Sequence, residues 1–458
     1  MNIASDKQQE ISRNISLTQT NNNSLKIMKE IKIGIVGLGS VGQGVLQILN
    51  ENLNSIENKI NTKIKITGIS AKNKNKKRDI QIDSFPWFDN PLELSLSPDV
   101  DVVIELVGGE DGIALKVVEN ALKEKKHVIT ANKALIAKHG NRLINLAEKN
   151  NVKILFEAAV AGAIPIIKTL KESTASNSIS AIYGILNGTC NYILTSMERD
   201  GANFNTALKS AQDLGFAESD PTFDIEGYDT AHKLAILSSI AYSKEINFMD
   251  IDVQGITKIE LDDIIAAKDY GYKIKLLGIS KKQKNGEVIQ VVRPTLLPID
   301  SNLAMVDMEK NAIFIKGNFF SEIMLVGPGA GRLPTASSVM SDLFDLANET
   351  KYPALGITSN KLEENIKSES INSNRYYLRL FLPDVSGTMA SITNTMARYN
   401  ISIDDITQRI SKKMKDNNLV PITIISSLTD IKSINKAVEE INKNNYSPIS
   451  PNIIVIED

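Results

Sequence analysis

The sequence predicts an α/β protein with three parts: a Rossmann-type doubly wound parallel sheet, an α+β substrate and dimerisation domain, and a C-terminal ferredoxin-like (βαββαβ) domain. Three observations predict this fold class. A glycine-rich turn joins the first strand to a helix, strands and helices alternate through residues 28–157, and residues 376–458 follow the order β-α-β-β-α-β.

Length and composition are those of a multidomain globular protein. At 458 residues the chain exceeds one typical hydrophobic core, and its net charge of −2 does not favour nucleic acid as a partner. It contains no apolar run of about 18 residues, so no membrane partner is expected. Cys190 is the single cysteine, which excludes an intrachain disulfide and predicts a reducing, cytoplasmic location.

Residues 1–27 are polar and rich in Asn, Ser, Gln and Thr. This composition lacks the apolar residues of a core or a signal peptide, so the segment is predicted to be a disordered tail. Met28 directly precedes the first strand and is a second candidate for the translation start.

The first strand, residues 31–36, leads through a G-x-G-x-x-G turn into a helix predicted over residues 41–49. Glycines in such a turn let the backbone approach a dinucleotide, and the helix N-terminus attracts the pyrophosphate. We therefore expect a dinucleotide-binding domain over residues 28–157. The predicted cofactor contacts in the turn are Gly37, Leu38, Gly39, Ser40, Val41 and Gly42.

The end of the second strand, residues 64–69, bears on the choice of cofactor. NAD sites usually place Asp or Glu there to bind the ribose hydroxyls. This chain instead has Ser70-Ala71-Lys72, followed by more basic residues up to Arg78. Positive charge suits a 2′-phosphate, so Lys72 is predicted to bind the cofactor and NADP is favoured over NAD. For the lysines beyond Lys72, a solvated basic loop is the alternative.

Two further strands, residues 101–106 and 127–130, continue the alternating pattern, and Lys133 lies three residues after the second of them. Ligands of doubly wound sheets lie at the carboxyl ends of the strands. Lys133 is therefore a candidate for cofactor binding and for catalysis, with an ordinary loop charge as the alternative.

The most informative stretch lies in the second unit, predicted over residues 158–330. Glu218 and Asp224 precede a largely apolar helix on which Asp229 and Lys233 lie one turn apart. A lysine in an apolar cleft has a lowered pKa, and a carboxylate beside it keeps it charged and aimed. The pair could therefore exchange a proton with a substrate, and an ordinary i,i+4 ion pair is the alternative.

Two loops of small residues are candidates for ligand contacts. Residues 157–165 leave backbone carbonyls free beside one carboxylate, which suits either a weakly bound monovalent cation or a plain turn. Residues 327–331 form a second glycine-rich loop, and residues 331–359 are predicted to return the chain to the first domain and its cofactor.

A linker predicted over residues 360–375, rich in Ser, Asn, Glu and Lys, separates the last unit. Within residues 376–458 the pattern predicts four strands and two helices in the ferredoxin-like order. The strands are residues 376–382, 401–409, 419–426 and 453–456, and the helices are residues 389–399 and 431–444.

Together these motifs resemble homoserine dehydrogenase, in its monofunctional form with a C-terminal ACT domain. The ordered set covers residues 28–350, and residues 382–387 resemble the first turn of an ACT domain, with Ser386 where Pro is more usual. The motifs are Gly37 to Gly42, Thr130-Ala-Asn-Lys133, Glu157-Ala-Ala-Val-Ala-Gly162, Asn187-Gly-Thr, Gly215-Phe-Ala-Glu-Ser-Asp-Pro with Asp229 and Lys233, and Gly327-Pro-Gly-Ala-Gly.

The resemblance implies a reversible NAD(P)-dependent interconversion of L-homoserine and L-aspartate 4-semialdehyde, in threonine, isoleucine and methionine biosynthesis. It implies that Lys233 donates or accepts the proton, with Asp229 and Lys133 completing the catalytic set. Glu218, Asp229 and Asp224 would bind the substrate, with Glu218 at its amino end.

The resemblance also implies further ligand contacts. Gly215 and Gly329 would bind the cofactor. A sodium ion would be held, largely by backbone carbonyls, at Glu157, Val160, Gly162 and Ile164. Many family members carry Arg soon after the second strand, where this chain has Ala71-Lys72.

ACT domains commonly pair and hold an amino acid at the strand-to-helix turn, so the resemblance implies a threonine effector and a homodimer or homotetramer. A dimerisation module without a ligand is the alternative. Two other functions stay open: another NAD(P)-dependent semialdehyde or hydroxy-acid dehydrogenase, and a catalytically inactive amino-acid sensor.

Overall fold

The structure is a computed structural model that describes residues 29–364, 373–408, 419–444 and 446–457. The predicted tail, residues 1–27, lies outside these residues, as do Met28 and residues 365–372 of the predicted linker. In the part of the chain that is described, every helix is too short or too polar to span a lipid bilayer.

The first domain is built on five parallel strands in the order β2-β1-β3-β4-β5. This order confirms the doubly wound sheet, and the strand order reverses between β1 and β3, where such sheets bind ligands. The strands are β1 (Lys29–Val36), β2 (Thr62–Ser70), β3 (Val102–Glu105), β4 (His127–Thr130) and β5 (Ile154–Leu155).

Four helices alternate with these strands: α1 (Ser40–Ile60), α2 (Pro91–Leu96), α3 (Ile113–Lys123) and α4 (Lys133–Lys149). The predicted end of α1 at residue 49 was wrong. Apolar residues continue at helical spacing through Leu53, Ile56 and Ile60, and they pack in the same core cluster as Leu49.

The second domain is a mixed sheet covered by helices. Its strands β6 (Ile179–Ile185), β8 (Tyr272–Lys282), β9 (Val288–Pro298), β10 (Lys310–Gly317) and β11 (Ser321–Pro328) run antiparallel in the order β11-β10-β6-β8-β9, and β7 (Asp252–Val253) pairs parallel with β9. Its longer helices are α5 (Gly188–Asp200), α6 (Phe204–Asp213), α7 (Tyr228–Tyr242) and α8 (Leu261–Asp269), and Asp224 lies in a single helical turn, Thr222–Ile225. Helix α7 packs across β6, β8 and β9 and is buried along nearly its whole length.

Helix α9 (Arg332–Ala347) returns the chain to the first domain. Ala336, Val339 and Leu343 of this helix share a core cluster with Val45 and Leu46 of α1. The segment that follows the second sheet therefore stabilises the domain that carries the glycine-rich turn.

The last unit has the predicted β-α-β-β-α-β order. Its elements are β12 (Arg375–Pro383), α10 (Thr388–Arg398), β13 (Ile403–Gln408), β14 (Leu419–Ser426), α11 (Ile431–Lys443) and β15 (Ile449–Ile456), and its strands lie in the order β15-β12-β14-β13. This arrangement confirms the ferredoxin-like fold.

The C-terminal domain is less separate than the predicted linker indicates. Strand β15 pairs parallel with β9, Val455 opposite Thr295 and Ile456 opposite Leu296, so the two domains share one continuous sheet. A period of two residues predicts that β15 is a strand, but it carries no information on which sheet edge the strand joins.

A buried ion pair reinforces this junction. Asp263 of α8 is fully buried and accepts hydrogen bonds from Arg379 Nε at 2.7 Å and from Arg379, Tyr377 and Asn452 side-chain groups at 3.0 Å each. It also accepts the backbone N–H of Glu260, which closes a capping box at the start of α8. A buried carboxylate needs such partners, and three of them belong to the C-terminal domain.

Candidate active site

The turn between β1 and α1 is shaped for close approach of a ligand. Gly37 has a φ of 102°, in the left-handed region that favours glycine. A Cβ atom on Gly42 would lie 2.1 Å from the Gly37 carbonyl oxygen, so no other residue fits there. The N-terminus of α1 has no side-chain cap and no acidic residue in its first turn, which leaves its N–H groups available to an anion.

A cleft of about 1040 Å³ opens beside this turn. Of the predicted cofactor contacts, Gly37, Leu38, Gly39 and Lys72 line it, and Ser40, Val41 and Gly42 follow in the first turn of α1. Lys74, Lys76 and Arg78 line the same cleft.

Arg78 organises this basic loop. Its guanidinium donates hydrogen bonds to the carbonyls of Asn73, at 2.7 Å, and of Lys74 and Lys76, at 3.0 Å each. The loop is thereby folded around one cation while the lysine side chains stay exposed. A cleft edged by positive charge fits a phosphate group on the ribose.

Lys133 begins α4 at the carboxyl edge of the parallel sheet. Asn132 caps this helix by accepting from Leu135 N at 3.1 Å, and its amide donates to the Gly109 carbonyl at 2.7 Å. Lys133 Nζ lies 2.9 Å from Asp229 Oδ1 on α7. One salt bridge therefore joins the dinucleotide-binding domain to the second domain.

Asp229 binds Lys233 through its other oxygen. Lys233 Nζ donates to Asp229 Oδ2 at 2.7 Å and to the Leu186 carbonyl at 2.7 Å. Asp229 is 2% exposed and Lys233 is 7% exposed. The predicted i,i+4 pair is thus buried and is shared with a third charge, unlike an ordinary surface pair.

Burial and charge set the protonation of these groups. Burial lowers the pKa of Lys233, although Asp229 opposes the shift. Burial alone would raise the pKa of Asp229, but the charges of Lys233 and Lys133 outweigh it and hold the pKa well below its usual range. The charge of Asp229 raises the pKa of Lys133. Of these two lysines, Lys233 therefore releases a proton more readily than Lys133.

Asp224 lies beside Asp229 and shares a hydrogen-bond donor with it. Its Oδ1 accepts the Asn187 amide at 2.8 Å, and the same amide nitrogen donates to Asp229 Oδ2 at 2.8 Å. Burial and the charge of Asp229 raise the pKa of Asp224. Glu218 is exposed, near enough for its charge to raise the pKa of Lys133 further, while Asp220 accepts from Thr222 N at 3.1 Å in a turn.

The loop of residues 327–331 reaches the same region. A Cβ on Gly329 would lie 2.0 to 2.2 Å from the Asn311 side chain, so a larger residue there would displace the Asn311 amide. Asn311 Nδ2 donates to the Leu186 carbonyl at 3.0 Å, the oxygen that also holds Lys233. Sequence reasoning missed Asn311, because nothing in the pattern of β10 marks it. Gly215 lies at an exposed turn after α6, with a φ of 78°.

In the candidate cation loop, the Glu157 side chain already has a structural role. Its carboxylate accepts from Ile167 N and Lys168 N at 2.9 Å each, and its N–H donates to Asp342 at 2.9 Å. Burial raises the pKa of Glu157 to about 7. Glu157 could therefore serve a cation through its backbone carbonyl rather than its carboxylate.

The carbonyls of the loop keep acceptor capacity. Glu157 O accepts Val160 N at 3.4 Å, Gly162 O accepts Ser338 Oγ at 2.7 Å, and Ile164 O accepts Ile166 N at 2.8 Å. Each carbonyl has a second lone pair that remains available to another ligand, and carbonyl oxygens are the kind of donor that a hard cation takes.

Cys190 and His232 are packed against neighbouring groups of the second domain. Cys190 is buried, its thiol donates to the Asp224 carbonyl at 3.2 Å, and burial raises its pKa. His232 packs edge-on against Phe223 and Phe248. Within residues 29–364 and the described parts of the C-terminal domain, no group of three or more His, Cys, Asp or Glu side chains could hold a metal ion.

A glycine-rich turn at the switch point of a doubly wound sheet, together with a buried lysine–carboxylate pair in the second domain, is the arrangement expected of an NAD(P)-dependent oxidoreductase. Three family models match the chain: homoserine dehydrogenase, NAD binding domain, at residues 37–157; homoserine dehydrogenase at residues 165–344; and ACT domain at residues 376–445. The chain belongs to the homoserine dehydrogenase family, and its activity is the NAD(P)-dependent interconversion of L-homoserine and L-aspartate 4-semialdehyde.

Similar proteins support this membership over nearly the whole length. The chain is 40% identical to homoserine dehydrogenase of Neisseria gonorrhoeae, covering 90% of this chain and 95% of the relative, and 38% identical to that of Bacillus subtilis, covering 91% and 95%. The crystal structure of a homoserine dehydrogenase from Thiobacillus denitrificans superimposes with a TM-score of 0.87 at 37% identity, covering 94% of this chain and 99% of that one. A hyperthermophilic archaeal homoserine dehydrogenase mutant in complex with NADPH has a TM-score of 0.60 at 26% identity, covering 70% and 98%.

Proposed function

We propose that Lys233 exchanges the proton with the reacting oxygen of the substrate and that Asp229 holds it in place. The observation that carries the proposal is the buried position of Lys233 Nζ, which donates to Asp229 and to the Leu186 carbonyl. An ammonium has three donors. With two of them fixed by the protein, the third can be directed at a substrate oxygen.

When bound, the nicotinamide supplies or accepts the hydride. In the reducing direction the Lys233 ammonium stabilises the developing alkoxide and gives it a proton. In the oxidising direction the neutral amine accepts that proton. Lys133 adds positive charge from the cofactor domain. Glu218, Asp224 and Asp229 place negative charge in the site, which suits the ammonium of the amino-acid substrate.

This role predicts opposite pH dependences in the two directions. Homoserine oxidation needs neutral Lys233, so its kcat should rise as the pH increases through the Lys233 pKa, which burial lowers. Reduction of the semialdehyde needs the ammonium, so its kcat should fall over the same range. Steady-state rates measured in both directions between about pH 6 and 10 check this, because the limb of such a profile reports the pKa of the essential acid–base group. Limbs of the same sign in both directions would exclude a single acid–base group.

We further propose that the cofactor is NADP, with Lys72 at its 2′-phosphate. The proposal is supported by the lysines that edge the cleft and by the absence of Asp or Glu at the end of β2. Lys72→Ala should raise KM for NADP about tenfold, as expected for a lost charge-assisted contact, and change KM for NAD little. Lys77→Ala is the matched control, because Lys77 is in the same loop but does not line the cleft. A similar rise for both cofactors, or for both variants, would contradict the assignment.

A sodium ion at Glu157, Val160, Gly162 and Ile164 is proposed on the carbonyl donor set of that loop. Gly162 of this loop packs against the backbone of Gly329, which in turn packs against Asn311. An ion bound in the loop would therefore stabilise the part of the candidate active site next to Asn311. We expect the activity to fall when sodium is replaced by tetramethylammonium at equal ionic strength, and to recover on adding sodium. Equal activity in the two salts would contradict the proposed sodium site.

Regulation and assembly are proposed on the C-terminal domain. A threonine effector would bind at the turn between β12 and α10, residues 383–388, where Val385 is exposed and Gly387 has a φ of 93°. Titrating the enzyme activity of the full chain with threonine tests this. The full chain is needed because removing the C-terminal domain would also remove the partners of the buried Asp263.

A homodimer or homotetramer is proposed, and sedimentation equilibrium measures the oligomeric state. The cytoplasmic location stays a prediction.

A further inference from the structure

Asn187 occupies the junction between β6 and α5, directly beside the acid–base pair. It is 5% exposed, and its Nδ2 donates to both Asp224 Oδ1 and Asp229 Oδ2, at 2.8 Å each. A primary amide has two N–H donors. Both are therefore directed at carboxylates of the site.

The orientation of this amide is fixed from its other end. Asn187 Oδ1 accepts the backbone N–H of Cys190 at 2.8 Å and so caps α5. If the amide were turned over, its oxygen would face two carboxylates and the Cys190 N–H would lose its partner. The cap therefore determines that the nitrogen points toward Asp224 and Asp229.

The residue before it completes the arrangement. The carbonyl of Leu186 accepts Lys233 Nζ at 2.7 Å, so two successive residues at the end of one strand contact both members of the pair. Asp229 Oδ2 receives Asn187 and Lys233, and Oδ1 faces Lys133 at 2.9 Å. Rotation of the Asp229 carboxylate would break all three contacts.

We propose that Asn187 is a positioning residue for the reaction: its amide orients the Asp229 carboxylate so that the two oxygens hold Lys133 and Lys233 separately. The inference deepens the proposed role of Lys233 and rests on it. The amide is also neutral, whereas a carboxylate at this position would be repelled by Asp224 and Asp229 and would favour the charged form of Lys233.

The test compares Asn187→Asp with Asn187→Ser. The aspartate variant keeps the size of the side chain and adds a carboxylate near Lys233, which favours the ammonium. We expect kcat for homoserine oxidation to fall at least about tenfold, the rising limb of its pH profile to move to higher pH, and KM for homoserine to change much less. Asn187→Ser keeps an oxygen that can cap α5 but removes the amide donors. It should also lower kcat at least about tenfold, with α5 still capped.

Asn191→Asp is the matched control. Asn191 lies one turn further along α5, is buried, and donates its amide to the carbonyls of Val306 and Lys310, away from Asp229. The same chemical change there should leave the pH limb in place. The proposal is overturned if Asn187→Ser retains the kcat of the unaltered enzyme, or if the limb of Asn187→Asp coincides with that of Asn191→Asp.

The Lys233→Ala variant distinguishes a failure of the Lys233 role from a failure of the Asn187 role. If Lys233 is not the acid–base group, the limb persists in Lys233→Ala. If only the role of Asn187 is wrong, Lys233→Ala loses the limb, whereas Asn187→Asp keeps it unshifted or Asn187→Ser keeps the kcat of the unaltered enzyme. If Asn187→Asp does not fold, Asn187→Ser decides alone.

Discussion

Replacing Lys233 by alanine is expected to lower kcat for homoserine oxidation by about 10³-fold, the usual contribution of a positioned acid–base group. The variant loses the ammonium that, among the described residues, bridges the Asp229 carboxylate and the Leu186 carbonyl. Water can take its place but is neither charged nor held. The fold should be retained, because Asp229 keeps Lys133 and Asn187 as partners.

Lys275→Ala is the control for the loss of a buried lysine. Lys275 is 1% exposed and binds Asn191, the Val306 carbonyl and Asp307, outside the contacts of Asp229. Its removal should lower stability but leave the kcat of the folded enzyme within a few-fold. Comparable losses of kcat in both variants would mean that Lys233 acts through stability rather than chemistry.

Replacing Arg379 by methionine is expected to give a large loss of stability, about 3 to 5 kcal/mol, as for a buried ion pair that loses one partner. Asp263 would remain buried and would keep Tyr377 and Asn452, but it would lose the cation and two of its hydrogen bonds. Methionine fills similar space without a donor. Urea unfolding followed by circular dichroism measures the change.

Arg398→Met is the comparison for an exposed pair in the same domain. The Arg398 side chain is 58% exposed and contacts Glu440, so its loss should cost less than about 1 kcal/mol. Equal, small effects of the two substitutions would mean that the junction at Asp263 contributes little to holding the C-terminal domain on the second domain.

Much of this molecule follows from local sequence signals. The glycine turn before α1 is predicted from its spacing between a strand and a helix, and the structure adds the steric reason, because a Cβ on Gly42 would lie 2.1 Å from the Gly37 carbonyl oxygen. The order of strands and helices in the C-terminal domain follows from periodicity and was confirmed element by element. The pairing of Asp229 with Lys233 follows from helix geometry alone.

Contacts between segments that are distant in the sequence could not be predicted from these local patterns. The addition of β15 to β9 joins residues more than a hundred positions apart, and neither strand's pattern names its neighbour. Leu186 takes part through its backbone carbonyl, which every residue possesses. Asn311 is one polar residue in a strand, and only the close approach of Gly329 shows why its position matters.

The central claim is that one group, Lys233, serves as acid in one direction and base in the other. Measuring kcat of Lys233→Ala with L-homoserine and with L-aspartate 4-semialdehyde, alongside the Kd of NADPH, tests it most directly. We expect losses of about 10³-fold in both directions, since the same proton moves in each, with little change in NADPH binding. Turnover near that of the unaltered enzyme in either direction would contradict it.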